Sequence, residues 1–419
     1  MAIEDAPQTT GDQQPVEEIL LGDREHYVDG PPHAIFKRLR SECPVHWTSH
    51  LPEWPGEDGF HSVTTWDDVR TVSMDFKTFS SEVGGITALT DSIMPLEMQR
   101  GMFIAQDPPK HDRLKALFQR GFTPKRIAEH EDRIRQIVVD RLESLATDRE
   151  INLVDEFAQP VVARVIGSFM GTNPEDDVIW ARLMNATLGG GDPDLNPEGP
   201  ESIMQKEIPE IFERCQKLID ERRENPQDDL TTVLVNAEVD GERLEDWEIV
   251  MGFFLLMAAG NDSTKATFCS AVRALVENPD QKQKLLDEPS LDPSAVEESL
   301  RMFPAFAHFR RTATEDVQLN NAHIKKGEKV VMWYTSSNRD ESKFEDPDRF
   351  DVERNPDHQA FGAGGRHFCL GAALARLELK IMLEETLKRF PEMQITGDCR
   401  FVESPFVNQL KTLPVRLVP

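Results

Sequence analysis

One cysteine near the C-terminal end of the chain has the surroundings of a metal ligand. Cys369 follows a stretch that contains Gly362, Gly364 and Gly365, and Gly371 lies just after it. Glycine allows backbone conformations that a Cβ forbids and lets the chain approach a flat surface closely. Apolar residues at helical spacing come next, so the free amides at the start of that helix should favour the thiolate. The pattern indicates a metal-binding thiolate; the alternative is a small, buried, apolar cysteine.

A second stretch with reactive side chains follows the longest apolar run of the chain. The run from Ile249 to Ala259 leads into Gly260 and then Asp262, Ser263 and Thr264. A carboxylate is costly to bury unless it is hydrogen-bonded or used in chemistry. Taken alone, the stretch is explained better by a helix kink with satisfied polar groups.

Two groups of charged residues are also candidates. The segment from Lys110 to Arg126 carries six Lys or Arg residues and one acid, which suits either a solvated face or a surface for an acidic partner. Glu298 and Arg301 are three residues apart and can therefore pair on one helix face. Lone pairs of this kind usually contribute little to stability.

Most of the elements that must position these groups have the residue spacing of helices. The pattern from Leu244 to Asn278 is the longest and is apolar on nearly every face in its first half, which predicts a helix through the middle of the protein. Strand-like runs are few and predict small sheets, so the fold class is mainly α with small β-sheets. The irregular stretch 80–106 is long enough to be functional, and the Gly/Pro stretch 189–200 suits a hinge, a lid or a surface loop.

Composition narrows the function. The 419 residues carry a net charge of −28, which argues against nucleic acid as the main partner. Five cysteines without a C-x-x-C pair indicate neither a disulfide framework nor a zinc knuckle and favour a reducing compartment. Neither a secretory signal nor a bilayer-spanning run is visible. We expect a cytoplasmic protein with a flexible tail over residues 1–24 and a single domain over residues 25–419.

In this order and spacing, the motifs resemble those of the cytochrome P450 family of haem-thiolate monooxygenases, from about residue 25 onward. The loop that ends in Cys369 resembles the family's haem-binding loop, Glu298-Ser-Leu-Arg301 its Glu-x-x-Arg pair, and the stretch at Asp262 its oxygen-activation motif. The resemblance implies the P450 fold, a triangular α-rich domain with haem b between the central helix and the cysteine loop. It makes Cys369 the proximal iron ligand, and it makes Glu298, Arg301 and Arg349 a buried structural network.

The same resemblance assigns further residues to the haem. His111, Arg311 and His367 match contacts to the propionates, which need cationic or hydrogen-bonding partners. Lys115 stands where the family more often has arginine and supplies charge without a bidentate fork. Additional haem contacts are expected at Phe361, Gly362 and Ala259.

Two departures from the usual family pattern concern reactivity and substrate. Gly260 would widen the helix groove for dioxygen, and Asp262 with the next hydroxyl would relay protons. That hydroxyl belongs to Ser263, where the family usually has threonine, and Thr264 follows it. Serine lacks the methyl group that restrains the threonine rotamer. We nevertheless expect Ser263 to be the hydroxyl that relays protons. Phe361 precedes Cys369 by eight residues, one more than the commonest spacing, which is similar to the bacterial subgroup that acts on steroid side chains, branched fatty acids and terpenoids.

The substrate is expected above the haem, against apolar walls from several segments. A pocket of this kind favours a lipophilic molecule oriented by few polar groups, for which His308 and Asn408 are candidates. The expected wall residues are Ile86, Leu89, Met94, Leu188, Leu255, Ala258, Ala259, Phe306, Ala307, Phe406 and Val407.

The expected reaction is hydroxylation of a steroid-, terpenoid- or fatty-acid-like molecule with O2. Electrons would come from an iron–sulfur ferredoxin and its NAD(P)H reductase, which the basic segment 110–126 with Arg366 and Arg376 would face. The protein is expected to be a monomer that binds neither nucleic acid nor membrane. Two alternatives stay open: a peroxygenase that uses hydrogen peroxide, which the Asp262–Ser263 pair disfavours, and a haem sensor or electron carrier without a substrate.

Overall fold

The structure, a computed structural model, describes residues 14–54, 56–88, 94–119, 121–189, 191–239 and 242–418. Leu89, one of the expected pocket residues, and Arg120 of the basic segment lie outside the described residues. The chain forms many helices and a few short sheets, as the sequence pattern predicts.

Fifteen α-helices occur among the described residues, and short 3₁₀ and π segments adjoin several of them. They are α1 His33–Glu42, α2 Trp66–Met74, α3 Leu96–Gln99, α4 Lys110–Gln119, α5 Pro124–Glu129, α6 Glu131–Glu143, α7 Gln159–Met170, α8 Asp177–Leu188, α9 Ile208–Glu224, α10 Leu230–Val235, α11 Asp246–Glu277, α12 Pro279–Asp287, α13 Asp292–Met302, α14 Tyr334–Ser337 and α15 Ala372–Arg389.

The strands are short. They are β1 Val45–His50, β2 Asp58–Val63, β3 Phe79–Ser80, β4 Glu150–Asn152, β5 Glu238–Val239, β6 Glu242–Arg243, β7 His308–Ala313, β8 Val317–Leu319, β9 Ala322–Ile324, β10 Lys329–Trp333, β11 Gln394–Ile395, β12 Arg400–Phe401, β13 Leu410–Thr412 and β14 Pro414–Arg416. The largest sheet has the order β1-β2-β10-β7-β3, in which only β2 and β10 run parallel. A second sheet has the order β11-β14-β4, and three two-stranded pairs complete the set.

The expected central helix is α11, which has 32 residues and is therefore about 48 Å long. Its start is fixed by a capping box between Glu245 and Glu248. It packs against α7, α8, α9, α13 and α15, so it is covered on most sides, as its apolar composition requires. The helix continues through Gly260 to Glu277 without interruption, as the pattern from Leu244 to Asn278 predicts.

The prediction of a flexible tail over residues 1–24 is wrong for residues 14–24. Ile19 and Leu21 are fully buried in an apolar cluster with Phe36 and Trp333, and the Ile19 carbonyl is hydrogen-bonded to the His46 ring. These two apolar residues in a polar stretch were the signal for packing. Residues 1–13 lie outside the described part of the chain.

Candidate active site

A cavity separates α11 from the Cys369 loop and the start of α15. Its wall is mostly apolar, which suits a large, flat, hydrophobic group or substrate. On the α11 side it is lined by Leu255, Leu256, Ala259, Gly260, Ser263, Thr264 and Thr267, and on the loop side by Phe361, Gly362, His367, Phe368, Cys369 and Gly371.

Cys369 lies at the floor of this cavity, just before α15. Its amide donates to the Phe361 carbonyl at 2.9 Å, which closes the loop. Burial has the largest effect on the Cys369 thiol and raises its pKa above the usual value. The Gly371 amide, which donates to the sulfur, and the nearby Lys115 and Arg376 oppose this effect and favour the thiolate.

The glycines of the loop are needed where it passes over α2. Gly364 and Gly365 have φ of +93° and +80°, a region that favours glycine. A Cβ on Gly365 would lie 2.9 Å from the Ser73 carbonyl oxygen, and the Ser73 hydroxyl donates to the Gly364 carbonyl at 2.9 Å. These contacts hold the loop, and with it Cys369, against the end of α2.

Four basic side chains gather at one side of the cavity: His111, Lys115, Arg311 and His367. The His111 and His367 rings are 4.2 Å apart. Burial lowers the pKa of all four, and the other three add to this effect at His367. Lys115 donates to the carbonyls of Arg366 and Phe368 and so also braces the loop.

Gly260, Ser263 and Thr264 line the opposite wall, but Asp262 does not. A Cβ on Gly260 would lie 2.8 Å from Cγ1 of Ile166, so the glycine is required for the close packing of α7 on α11. Asp262 is buried and pairs with Lys265 one turn later. The Lys265 ammonium also donates to Gln159 at 2.7 Å and to Asn185 at 2.8 Å.

The predicted substrate residues separate into two groups. Leu255, Ala259 and Phe306 line the cavity. The other described residues do not line it: the Phe406 ring packs on Phe306 at 5.2 Å, and Val407 pairs with Phe306 through the backbone. Ile86, Met94, Ala258 and Ala307 are buried, and Leu188 is partly buried against the core.

The two polar residues suggested for orienting a substrate form hydrogen bonds with other residues of the protein instead. His308 is fully buried, its Nδ1 is 2.9 Å from the Pro405 carbonyl, and its Nε2 accepts from the Ala88 amide at 3.1 Å. Burial lowers the pKa of His308 to about 4, so it is neutral. The Asn408 amide donates to the Pro304 carbonyl at 3.2 Å. Both residues support the backbone around Phe306.

Comparison with known proteins identifies this architecture. The cytochrome P450 family model matches residues 201–290 and 291–408. The methyl-branched lipid omega-hydroxylase of Mycobacterium tuberculosis is 38% identical over 414 residues, which cover 96% of this chain and 95% of the relative. Linalool 8-monooxygenase of Pseudomonas putida is 35% identical over 94% of this chain and 97% of its own length. A Mycobacterium marinum cytochrome P450 in complex with pseudoionone has a TM-score of 0.89 at 34% identity, covering 96% of this chain and 99% of its own.

The chain belongs to the cytochrome P450 family. It is an oxidoreductase of the monooxygenase type, and the family implies a haem cofactor. In the part of the chain that the structure describes, no helix is long and apolar enough to cross a membrane, and three or more His, Cys, Asp or Glu side chains nowhere gather as an alternative metal site.

The donor set of this P450 fits a haem. The cavity offers one thiol at its floor and a group of cationic or N–H donors at its side, which match one iron and two carboxylates. Nε2 of His111 is buried without a hydrogen-bond partner in the described structure, while its Nδ1 is 2.9 Å from Asp112. A buried, unpaired ring nitrogen that lines the cavity is the feature a propionate would satisfy.

The network behind the haem loop differs from the expectation at one member. Arg301 donates two hydrogen bonds to Glu298, of 2.7 and 2.8 Å, and both side chains are fully buried. The predicted third member, Arg349, has an exposed side chain and offers only its carbonyl to Arg301, at 3.4 Å. Arg354 takes the place: its Nε donates to Glu298 at 3.2 Å. Both arginines follow Pro347 within one short irregular segment, so sequence alone did not separate them.

Sequence reasoning missed several residues of the cavity wall. They are Phe103, Ile104, Phe122, Ile166, Thr267, Leu300, Ala305, Phe309, Tyr334 and Glu378. Most of them are apolar residues without a distinguishing motif. Glu378 had a signal, because a carboxylate on the apolar face of α15 requires a reason to be buried.

Proposed function

We propose that this P450 inserts one atom of O2 into a C–H bond of a lipophilic small molecule of the steroid, terpenoid or branched fatty-acid kind. The observation that carries the proposal is the cavity itself, with Cys369 on one wall, the Gly260 and Ser263 segment on the other, and apolar side chains between them. The names of the relatives support the substrate class, since they include a methyl-branched lipid omega-hydroxylase, a linalool 8-monooxygenase and a steroid C26-monooxygenase.

The cofactor we propose is haem b, held without a covalent bond. Covalent attachment of c-type haem uses a C-x-x-C-H motif, and the five cysteines contain no such pair. Cys369 would ligate the iron, whose chemistry when bound is the activation of dioxygen. His111, Arg311 and His367 would hold the propionates, and Lys115 would add charge while keeping the cysteine loop in place.

The residues in and beside the cavity would have separate roles in binding substrate and in moving protons. Phe306, Leu255 and Ala259 exclude water and hold an apolar substrate mainly by burial. The Ser263 hydroxyl is on the wall opposite Cys369 and would donate a hydrogen bond where oxygen chemistry occurs. Asp262 precedes Ser263 but pairs with Lys265 away from the cavity wall, so its carboxylate would exchange protons with the Ser263 hydroxyl only when this ion pair opens.

Electrons would arrive from an acidic ferredoxin on the side of Cys369 that faces away from α11. A second depression there is lined by Lys115, Arg366, Arg376 and the start of α5. Several cations of the segment are already paired: Arg366 with Asp112, Arg376 with Glu297 at 2.6 Å, and Arg126 with Asp228 at 2.7 Å. Lys125 is exposed, and no ion pair of it occurs among the described residues, so it is available to a partner.

Turnover by the reconstituted holoenzyme tests the proposal. The haem-loaded protein is titrated with a methyl-branched fatty acid, linalool and cholesterol, and the haem absorption spectrum reports displacement of water. Bound molecules are then turned over with ferredoxin, reductase and ¹⁸O-labelled O2. Incorporation of one labelled atom into a product supports the proposal. Equal product yield from hydrogen peroxide without ferredoxin would replace it by a peroxygenase, and the absence of both binding and product would refute it.

A further inference from the structure

One methionine combines an exposed side chain with a contact to the cysteine loop. Met74, the last residue of α2, is 48% exposed. The other methionines that the structure describes are buried, or partly buried in the case of Met98 and Met204. Because a thioether is oxidised only where the oxidant reaches its sulfur, Met74 is the described methionine most open to peroxide.

The Met74 sulfur lies against the backbone of the loop that carries Cys369. A Cβ added to Gly364 would be 3.1 Å from Met74 Sδ, and one added to Gly365 would be 3.5 Å from the same atom. These glycines precede Cys369 by five and four residues. The thioether therefore packs on two consecutive residues close to the proposed iron ligand.

Two neighbouring contacts make the end of α2 a support for this loop. The Ser73 hydroxyl donates to the Gly364 carbonyl at 2.9 Å. The Arg366 guanidinium lies over the Phe76 ring, 5.7 Å from its centroid. The flexible, apolar thioether of Met74 adds a third contact, which fits the irregular surface of the loop. A change at this contact should therefore alter how firmly the loop is held.

The thiols of the chain are less open to the same oxidant. The thiolate is the reactive form of cysteine. Cys215 and Cys269 are buried, and burial raises the pKa of Cys43 and of Cys399, which keeps them as thiols. The sulfur of Cys369 would be bound to iron in the haem-loaded protein.

We propose that Met74 is a reversible oxidation site through which peroxide loosens the cysteine loop. The sulfur lone pair attacks one oxygen of hydrogen peroxide, the O–O bond breaks, and the other oxygen leaves as water after proton transfer. The sulfur loses two electrons and the peroxide gains them. The sulfoxide is polar, so the side chain should leave the apolar contact with the two glycines and turn to solvent. Methionine sulfoxide reductase reverses this oxidation.

Treatment of the haem-loaded protein with dilute hydrogen peroxide tests whether Met74 is the site. Peptide mapping by mass spectrometry should show one added oxygen on Met74 at least about fivefold faster than on Met98 or Met204, because these two are less accessible. Oxidation of either of them before Met74 would overturn the inference.

Haem release tests the consequence for the loop. Transfer of haem to excess apomyoglobin, which counts only intact haem, should be at least about threefold faster after oxidation of Met74. Methionine sulfoxide reductase should restore the original rate, whereas it repairs neither bleached haem nor oxidised cysteine. An accelerated release that the reductase does not reverse would overturn the inference.

Substitutions at Met74 separate this effect from general damage. Met74→Leu conserves volume and cannot form a sulfoxide, so peroxide should no longer accelerate haem release; Met204→Leu is the matched control and should behave like the wild type. Met74→Gln puts a polar group on the loop without any oxidant and should release haem faster than Met74→Leu, whereas Met204→Gln should not differ from Met204→Leu. Equal acceleration by peroxide in Met74→Leu and in the wild type would refute the proposal. Neither substrate nor ferredoxin is used, so the result is independent of the proposed reaction.

Discussion

Ser263 is the residue at which this chain departs most clearly from the pattern it otherwise resembles. Its hydroxyl belongs to the cavity wall, in the same turn of α11 as Gly260. A serine rotamer is less restricted than that of threonine because one substituent on Cβ is missing. The hydroxyl can therefore turn to the cavity or back to the helix backbone, and its contribution depends on neighbours that hold it.

Ser263→Ala should leave haem and substrate binding unchanged and uncouple turnover. A positioned acid–base group contributes about 10²–10⁴-fold to a proton transfer, and partial replacement by water reduces this, so we expect product per NAD(P)H to fall by about tenfold. Hydrogen peroxide formed per NAD(P)H is the measurement. Ser263→Thr is the matched control, since it restores the methyl and should couple at least as well as the wild type. Unchanged coupling in Ser263→Ala would show that this hydroxyl has no part in the reaction.

At the scale of elements, the position of the haem loop depends on a buried charge network behind it. Glu298 accepts from Arg301, from the Asp351 amide at 3.0 Å and from Arg354. Arg301 also donates to the carbonyls of Asn338 and Pro347, each at 2.8 Å. One ion pair of α13 thus fixes three segments that lead into the cysteine loop.

Arg301→Met should destabilise the holoenzyme by about 3–5 kcal/mol, because the Glu298 carboxylate stays buried with one of its cations removed. Chemical denaturation followed by haem absorbance and far-UV dichroism measures the loss. The controls distinguish the third member of the network: Arg354→Met should cost about 1–3 kcal/mol as a charged hydrogen bond to a buried carboxylate is lost. Arg349→Met should stay within about 0.5 kcal/mol, because its side chain is exposed. A larger effect at Arg349 than at Arg354 would contradict this assignment.

The same elements show how far the sequence could predict the site. The Cys369 loop, the long helix α11 and the Glu298–Arg301 pair were predictable because each is set by residues close together in the chain. The contacts of Lys265 with Gln159 and Asn185 and the use of Arg354 depend instead on how helices are rotated and which side chains they bring together. A sequence pattern carries little information on such rotations, so these contacts required the structure.

At the scale of the whole molecule, an ion network attaches the segment 191–201, whose sequence suits a hinge, a lid or a surface loop, to the C-terminal strands. Asp192 is fully buried and pairs with Lys411 of β13 at 2.9 Å. Lys411 also binds Asp194 at 2.9 Å, and Arg400 binds Asp194 at 3.1 Å. The segment follows α8 and lies beside the hairpin β12–β13, which precedes and follows Phe406. A change in this network should therefore alter how ligands enter.

Lys411→Met should accelerate ligand entry and exit, because it leaves Asp192 buried without its cation and weakens the attachment of the segment. A loss of about 1.4 kcal/mol in the attached state corresponds to about a tenfold increase in the opening equilibrium, and we expect at least this change in the association rate of a lipophilic ligand by stopped-flow absorbance. Arg400→Met is the control, since its pair with Asp194 is solvent-exposed and should change the rate less than about twofold. Equal rates in all three proteins would show that the network does not limit entry.

The charge of the whole protein bears on its redox partner. A chain with a net charge of −28 should repel an acidic ferredoxin over most of its surface, so productive encounter depends on the few cations near Cys369. Lys125 at the start of α5 is exposed and unpaired among the described residues, which makes it the residue whose charge a partner would meet.

Lys125→Glu should slow ferredoxin-driven reduction several-fold at low salt and much less at about 0.5 M salt, because added ions screen exposed charges. The matched control is Lys217→Glu on α9, which makes the same charge change on a helix that packs against α11; it should leave the rate nearly unchanged. Equal slowing by the two variants would mean that net charge, and not a docking surface beside Cys369, governs the encounter, whereas slowing by Lys125→Glu that persists at high salt would indicate a loss of structure.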